Sequence, residues 1–249
     1  MHLVVAIGSM LAQFPAARML FLIALYGSLV GCSWSAQNAN LTGVQLFQQG
    51  QYQAADSYFR QAIQADPHNA DGYYNLAANF HRQWKLHGRQ TDLAQAETNY
   101  QQCVVRNPNH VDCYRGWGVL MVEQGRSQDA FNLLEQWAAN SPANPEPRIE
   151  LARLYEEFGD KETAKNRLID AVALAPQSPR ALAALGKLRE ESGDPVQALA
   201  NYQRSLSQNQ NQPQVAARVA ALQAGGIGAP NYAAPGDSRW VAVPGPTLR

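Results

Sequence analysis

Five histidines and three cysteines are the side chains of this sequence that are best suited to hold a metal ion. Two of the histidines, His81 and His87, lie six residues apart, but neither has an acidic residue or a cysteine at a spacing that would complete a zinc site. The three cysteines are too few and too scattered for a zinc-binding or disulfide-rich scaffold. The sequence therefore predicts no metal site and no cofactor.

The sequence patterns that mark catalytic sites are also missing. There is no His-Glu-x-x-His motif, no phosphate-binding glycine loop and no nucleophile elbow. The glycine-rich run 225–228 follows a predicted helix rather than a strand, so it does not fit a dinucleotide-binding turn. Two acidic pairs, Glu156-Glu157 and Glu190-Glu191, lie 34 residues apart, and solvated helix ends are the ordinary explanation for such pairs. We predict that the protein is not an enzyme.

The charge balance argues against nucleic acid as a partner. The 249 residues include 20 Lys and Arg and 20 Asp and Glu, for a formal net charge of +0. Nucleic-acid-binding proteins usually present a basic surface. Because 46% of the residues are hydrophobic and only 16% are charged, we expect an ordered protein over most of its length.

An apolar segment near the N-terminus predicts export from the cytoplasm. Residues 19–30 are uncharged and follow Arg18; the run is too short to span a bilayer but fits a signal peptide. It ends in LVGC, residues 29–32, which resembles the lipobox of bacterial lipoproteins. That resemblance implies cleavage before Cys32 and attachment of a diacylglycerol to its thiol. The alternative is an ordinary signal peptide with a cysteine there by chance.

The lipobox resemblance also implies a location. Ser33, where some lipoproteins have Asp, implies sorting to the outer membrane, with the protein facing the periplasm. More than one acyl chain gives stable anchoring, whereas a single chain is marginal. Translation from Met10 instead of Met1 would give a shorter leader of more usual length.

The rest of the chain repeats itself. In each segment, apolar residues three or four apart, such as Tyr52, Ala55 and Phe59, mark one face of a helix. Four prolines close successive helix pairs, with spacings of 41, 34 and 34 residues: Pro67, Pro108, Pro142 and Pro176. Seven extra residues around 84–90, which we place at the turn between two helices, explain the longer first spacing.

Small residues recur where two helices must approach closely or turn. In the first helices these are Gly43, Ala77, Gly118, Ala152 and Gly186; in the second helices, Ala55, Ala96, Ala130, Ala164 and Ala198; in the turns, Gly50, Gly125, Gly159 and Gly193.

A period of 34 residues with two helices per unit resembles the tetratricopeptide repeat. The resemblance implies an all-α fold, an α-solenoid superhelix of about five helix-turn-helix units plus a C-terminal capping helix. The expected segments are a signal peptide (1–31), a lipidated N-terminus and linker (32–35), five repeats (36–69, 70–110, 111–144, 145–178 and 179–212), a capping helix (213–224) and a Gly/Pro-rich flexible tail (225–249). Trp240 in that tail is either a short docking motif or part of an unstructured end.

Cys103 and Cys113 lie near the end of one predicted helix and the start of the next. A short turn between antiparallel helices would bring them within disulfide reach, and an extracytoplasmic compartment permits oxidation. The alternative is a pair of small buried apolar side chains.

The first helices of a tetratricopeptide solenoid line its concave face, so their inward positions outside the core are candidates for a protein-binding groove. These are Tyr74, Asn75, Arg82, Arg115, Val119, Arg153 and Lys187. Repeat domains that bind a peptide's C-terminal carboxylate use Lys, Arg and Asn at comparable positions, a pattern that this sequence matches in part. The alternative is that these are ordinary solvated side chains.

Together these features predict a lipid-anchored scaffold that binds partner proteins or peptides at a bacterial envelope membrane. Similar lipoproteins assist pilus assembly, secretion or outer-membrane protein assembly. Two alternatives remain open: a targeting or regulatory subunit of a cell-envelope enzyme, and a self-associating structural protein.

Overall fold

The computed structural model describes residues 34–224, which form eleven α-helices and no β-strand. The all-α class that the sequence predicts is therefore confirmed for this part of the chain. The predicted signal peptide, Cys32 and the predicted tail with Trp240 lie outside the described residues. Between residues 34 and 224, no helix combines the length and the hydrophobicity that crossing a membrane requires.

The described helices divide into two compact units. The N-terminal unit contains α1 (34–48), α2 (Tyr52–Ala65), α3 (Ala70–His87) and α4 (Gln90–Arg106). The C-terminal unit contains α5 (Val111–Glu123), α6 (Ser127–Asn140), α7 (Glu146–Glu157), α8 (Lys161–Leu174), α9 (Pro179–Glu191), α10 (Pro195–Gln208) and α11 (Pro213–Gln223).

The turns inside the helix pairs share one geometry. After α5, Gly125 has a φ of 75°, and the amide of Arg126 donates to the carbonyl of Met121 at 2.9 Å. This bond closes the helix end with a left-handed residue, which only glycine adopts at little cost. The same arrangement recurs at the other predicted turn glycines, Gly50, Gly159 and Gly193.

The small residues at the helix crossings permit close approach, as the sequence predicts. A Cβ atom added to Gly43 on α1 would lie 2.5 Å from the ring of Phe59 on α2. One added to Gly186 on α9 would lie 2.8 Å from the ring of Tyr202 on α10. In the C-terminal unit, Ala164 belongs to a buried core that α7, α8 and α9 share. The aromatic rings therefore occupy the space that glycine leaves.

The extra residues of the second repeat are not a loop at a turn. They lengthen both helices, so that α3 has 18 residues and α4 has 17, whereas α6 has 14. The turn itself consists of Gly88, at a φ of 68°, and Arg89. The prediction that these extra residues lie at the turn is wrong, because residues 84–87 continue α3 and Gly88 ends it.

The last helix, α11, packs on α10 through one face. Val215, Val219 and Leu222 are half-buried on this face, and no residue of α11 is fully buried. This is the geometry expected of a helix that covers the last apolar surface of a stack of repeats.

Candidate functional site

The groove residues predicted in the N-terminal unit are not all open to a partner. Tyr74 is buried against Tyr100, with ring centroids 6.4 Å apart, and Asn75 is buried where its Nδ2 donates to Asn40 Oδ1 at 2.8 Å. Arg82 is exposed, and its Nε donates to the hydroxyl of Tyr52 at 3.3 Å. The expectation that Tyr74 and Asn75 lie outside the core is wrong, because both side chains of α3 are buried, Tyr74 beside Tyr100 of α4 and Asn75 beside Asn40 of α1.

In the C-terminal unit the first helices are α5, α7 and α9, and we call the surface they share the first-helix face. Val119 on α5 is 1% exposed, so its assignment to an open groove is also wrong. Arg115 on the same helix is only partly exposed and lies among acidic side chains. The polar side chains of this face are therefore engaged with one another.

The central acid of the first-helix face is Glu150 on α7, which is 0% exposed. Arg115 donates to its carboxylate from Nη2 at 2.7 Å and from Nε at 3.1 Å. The third nitrogen of the same guanidinium, Nη1, donates to Asp112 at 2.9 Å. Arg115 thus links its own helix to the next repeat through a two-point contact, the strongest geometry that an arginine and a carboxylate can form.

Arg180 on α9 reaches Glu150 from the following repeat. Its guanidinium donates to Glu150 and to Glu146. Arg153, one turn further along α7, has Nη1 3.9 Å from the carboxylate of Glu150. Three arginines from three successive repeats therefore surround one buried carboxylate.

This setting determines the ionisation of Glu150. Burial alone would raise its pKa, but the charge of Arg180, the hydrogen bond and charge of Arg115 and the charge of Arg153 together outweigh burial. They lower the pKa of Glu150 from 4.5 to about 2. Glu150 is therefore ionised at neutral pH, which keeps a counter-charge in place for the arginines.

The same kind of link recurs toward the C-terminus. Lys187 on α9 donates to Glu156 on α7, one repeat earlier, and lies 3.7 Å from Glu191. Glu190 accepts hydrogen bonds from Arg218 on α11 and, at 3.0 Å, from the hydroxyl of Tyr202. The sequence suggested that the two acidic pairs are solvated helix ends. Three of these four acids, Glu156, Glu190 and Glu191, instead pair with side chains of neighbouring helices.

Glu150 and Arg180 were missed in the sequence, although a signal was available. Arg180 lies 34 residues after Glu146, so the two residues occupy equivalent positions of successive repeats and carry opposite charges. Asp112 occupies that position one repeat earlier. A comparison of charges at equivalent positions would have indicated a pairing between repeats.

This arrangement is suited to binding a partner. The ion pairs fix α5, α7 and α9 relative to one another, while the side chains of Arg153 and Arg180 remain 37% and 35% exposed. Partly exposed guanidinium groups on such a surface are suited to bind acidic or hydrogen-bonding groups of a partner.

The remaining candidate residues are two cysteines and two histidines. Cys103 is fully buried on α4 in the N-terminal unit, and Cys113 is fully buried in the first turn of α5 in the C-terminal unit. The disulfide between them stays a prediction. His81 is buried, with Nδ1 3.3 Å from the hydroxyl of Tyr100, whereas His87 is exposed.

Comparisons with known proteins agree with the repeat architecture. A family model of the tetratricopeptide repeat matches residues 46–81 and 121–188, and a second model of the same repeat matches residues 81–145. No curated protein matches the chain. The crystal structure of TTC0263, a thermophilic tetratricopeptide repeat protein of Thermus thermophilus, is 26% identical, with a TM-score of 0.53 over 76% of this chain and 99% of that one.

Two further solved structures are less similar. The pilF protein of Pseudomonas aeruginosa is 16% identical, with a TM-score of 0.49 over 78% of this chain and 91% of that one. MamA of Desulfovibrio magneticus RS-1 is 17% identical, with a TM-score of 0.43 over 72% and 97% of the two chains. The two family models together span residues 46–188, more than half of the 249 residues, so this chain belongs to the tetratricopeptide repeat family.

Proposed function

We propose that this protein is a scaffold, anchored to a bacterial envelope membrane by lipid on Cys32, that binds partner proteins in the assembly of a pilus, secretion or outer-membrane complex. Its membership of the tetratricopeptide repeat family supports the general role, since such repeats are scaffolds for protein–protein interaction. The sequence LVGC at residues 29–32 supports the lipid anchor. No catalytic constellation accompanies these features in the sequence.

The observation that carries the binding role is the buried carboxylate of Glu150, held by arginines from α5 and α9. Because these pairs fix three successive first helices, the exposed groups of the face are positioned before a partner arrives. Preorganisation of this kind lowers the entropic cost of association. The first-helix face is therefore the surface that we assign to the partner.

The partly exposed cation best suited to touch that partner is Arg153. Its side chain is 37% exposed, and its Nη1 lies 3.9 Å from the carboxylate of Glu150, a longer contact than the one that Arg115 makes. Glu150 receives closer contacts from Arg115 and Arg180, so it stays paired when Arg153 is removed. A charge-assisted hydrogen bond from Arg153 to the partner would contribute about 1.5–3 kcal/mol.

The test of the binding role is a pull-down from detergent-solubilised membranes with the full-length protein, followed by titration of the recovered partner. Arg153→Ala should weaken the partner's affinity about tenfold or more, as expected for a loss of about 1.4 kcal/mol or more. Lys165→Ala, which removes a partly exposed cation from α8, is the matched control and should leave affinity unchanged. If a folded Arg153→Ala variant retains full affinity, the partner does not bind through this face.

The identity of the recovered partner tests which envelope process the protein serves. Components of a pilus, secretion or outer-membrane assembly machine would support the proposal. A glycan hydrolase recovered at equal stoichiometry would instead favour a regulatory subunit of a cell-envelope enzyme.

The lipid anchor has its own test. Growing cells with a labelled fatty-acid analogue should mark the wild-type protein but not the Cys32→Ser variant. Equal labelling of both proteins would exclude acylation at Cys32.

A further inference from the structure

The N-terminus of α1 carries an aromatic side chain that the fold does not use. Trp34 is 70% exposed, whereas the core of the same helix is formed by residues such as Ala36 and Val44, which are buried. Exposing a tryptophan to water is costly, because burying an aromatic side chain stabilises a protein several times more than burying a methyl group. Trp34 is therefore available for a contact outside the protein.

The sequence that follows Trp34 carries no charge. Residues 33–55 contain no Asp, Glu, Lys, Arg or His, although 40 of the 249 residues are acidic, Lys or Arg. The exposed residues that follow Trp34 on α1 include Gln37, Asn38 and Gln45. Uncharged amide and indole groups are compatible with the headgroup region of a bilayer, where tryptophan is enriched.

The chain places Trp34 within reach of that region. Only Ser33 separates Trp34 from Cys32, so the Cα atoms of Trp34 and Cys32 are at most about 7 Å apart. The polar layer on each side of a bilayer is of similar thickness, roughly 5–8 Å. A lipid on Cys32 would hold the cysteine at this layer, and Trp34 could not then lie far outside it.

We infer that Trp34 is a second membrane contact, with its indole seated in the lipid headgroup region beside the acylated cysteine, so that α1 begins at the membrane surface. This inference rests on the lipid anchor of the proposed function. The partner is the surface of the bilayer itself. The absence of basic residues nearby means that the contact does not require anionic lipids.

The experiment uses the full-length acylated protein reconstituted in phosphatidylcholine vesicles that contain lipids brominated near the headgroup end of their acyl chains. Bromine quenches tryptophan emission only at short range. Quenching is compared for the wild type, Trp34→Phe and Trp240→Phe, and the mass of each protein verifies the diacylglycerol on Cys32. We expect the wild type and Trp240→Phe to be quenched, and the quenching to be lost in Trp34→Phe.

The outcomes separate the two claims. Proteins that carry the diacylglycerol but show equal quenching with and without Trp34 would overturn the membrane contact and leave the anchor intact. Proteins whose mass shows no lipid would overturn both the anchor and this inference. Quenching that is lost in Trp240→Phe and kept in Trp34→Phe would assign the contact to the other tryptophan and overturn it for Trp34.

Discussion

Arg115 on α5 and Glu150 on α7 join the first helices of two successive repeats through two hydrogen bonds, at 2.7 and 3.1 Å, to a carboxylate that is fully buried. Arg180 reaches the same carboxylate from the following repeat. Neighbouring repeats usually associate through apolar contacts. Such contacts fix the distance between two repeats but only weakly determine the angle at which one is rotated against the other. A buried ion pair adds a directional constraint, so Glu150 specifies how three first helices align.

The first prediction concerns the stability that Glu150 contributes. Glu150→Gln removes the counter-charge of two partly buried arginines, and breaking a buried ion pair at one partner costs about 3–5 kcal/mol of unfolding free energy. Urea denaturation should show this loss as a lower transition midpoint with an unchanged slope.

The control for that change is Glu162→Gln, which breaks an ion pair whose carboxylate is mostly exposed. It should change the unfolding free energy by no more than about 0.5 kcal/mol. Similar midpoints for the two variants would show that Glu150 does not fix the stack.

A second prediction follows from the pKa of Glu150, about 2 in the folded protein and near 4.5 in the unfolded chain. Because the folded pKa is the lower one, the unfolded chain binds more protons between these values. The stabilisation is complete above about pH 4.5 and is lost as the pH falls toward about 2. Its size is on the order of 3 kcal/mol.

Thermal unfolding of the wild type and Glu150→Gln from pH 7 to pH 2 measures this effect. The difference in stability between the two proteins should shrink as the pH falls below about 4.5. A difference that stays constant down to pH 2 would mean that the pKa of Glu150 is not lowered in the folded protein.

The sequence predicted the helix pairs well because their periodicity, turn glycines and crossing residues are local signals. It failed for side chains whose burial or pairing depends on packing between helices that are distant in the sequence. Tyr74, Asn75 and Val119 were assigned to an open surface from their positions in a helix, yet neighbouring elements bury them. Arg115 was assigned to a partner because its acceptor, Glu150, lies 35 residues away and no local pattern connects the two.

The third prediction concerns overpacking of the core that the repeats share. Ala164 is fully buried in the core of the C-terminal unit, so Ala164→Trp should cost at least about 1–3 kcal/mol of unfolding free energy. Ala139 is exposed on α6, and Ala139→Trp is the matched control, with an expected cost within about 0.7 kcal/mol from helix propensity. Equal melting temperatures for the two variants would contradict the close packing at Ala164.

The fourth prediction concerns Cys103 and Cys113, both fully buried. If they form the predicted disulfide, the mature protein, denatured without reductant, should contain no free thiol, since the lipid occupies the sulfur of Cys32. Alkylation with a mass tag counts the thiols directly. Two tagged cysteines would exclude the bridge and leave the alternative of two buried apolar side chains.

The last prediction concerns the crossing of α1 and α2, where Gly43 faces the ring of Phe59. A Cβ atom on residue 43 would lie 2.5 Å from Cε1 and 2.7 Å from Cδ1 of that ring, well inside van der Waals contact. Phe59 is fully buried, so its ring cannot move away without displacing the core. Gly43→Ala should therefore lower the unfolding free energy by about 1–3 kcal/mol, even though alanine is the better helix former by about 1 kcal/mol.

A double-mutant cycle shows whether the clash itself is the cause. Phe59→Leu alone should destabilise the protein by leaving a cavity, but it also makes room beside residue 43. The double variant should then lose less stability than the sum of the two single variants, by about 0.5–3 kcal/mol. Strictly additive losses would show that the two residues do not meet, and α1 would then lack its close crossing with α2.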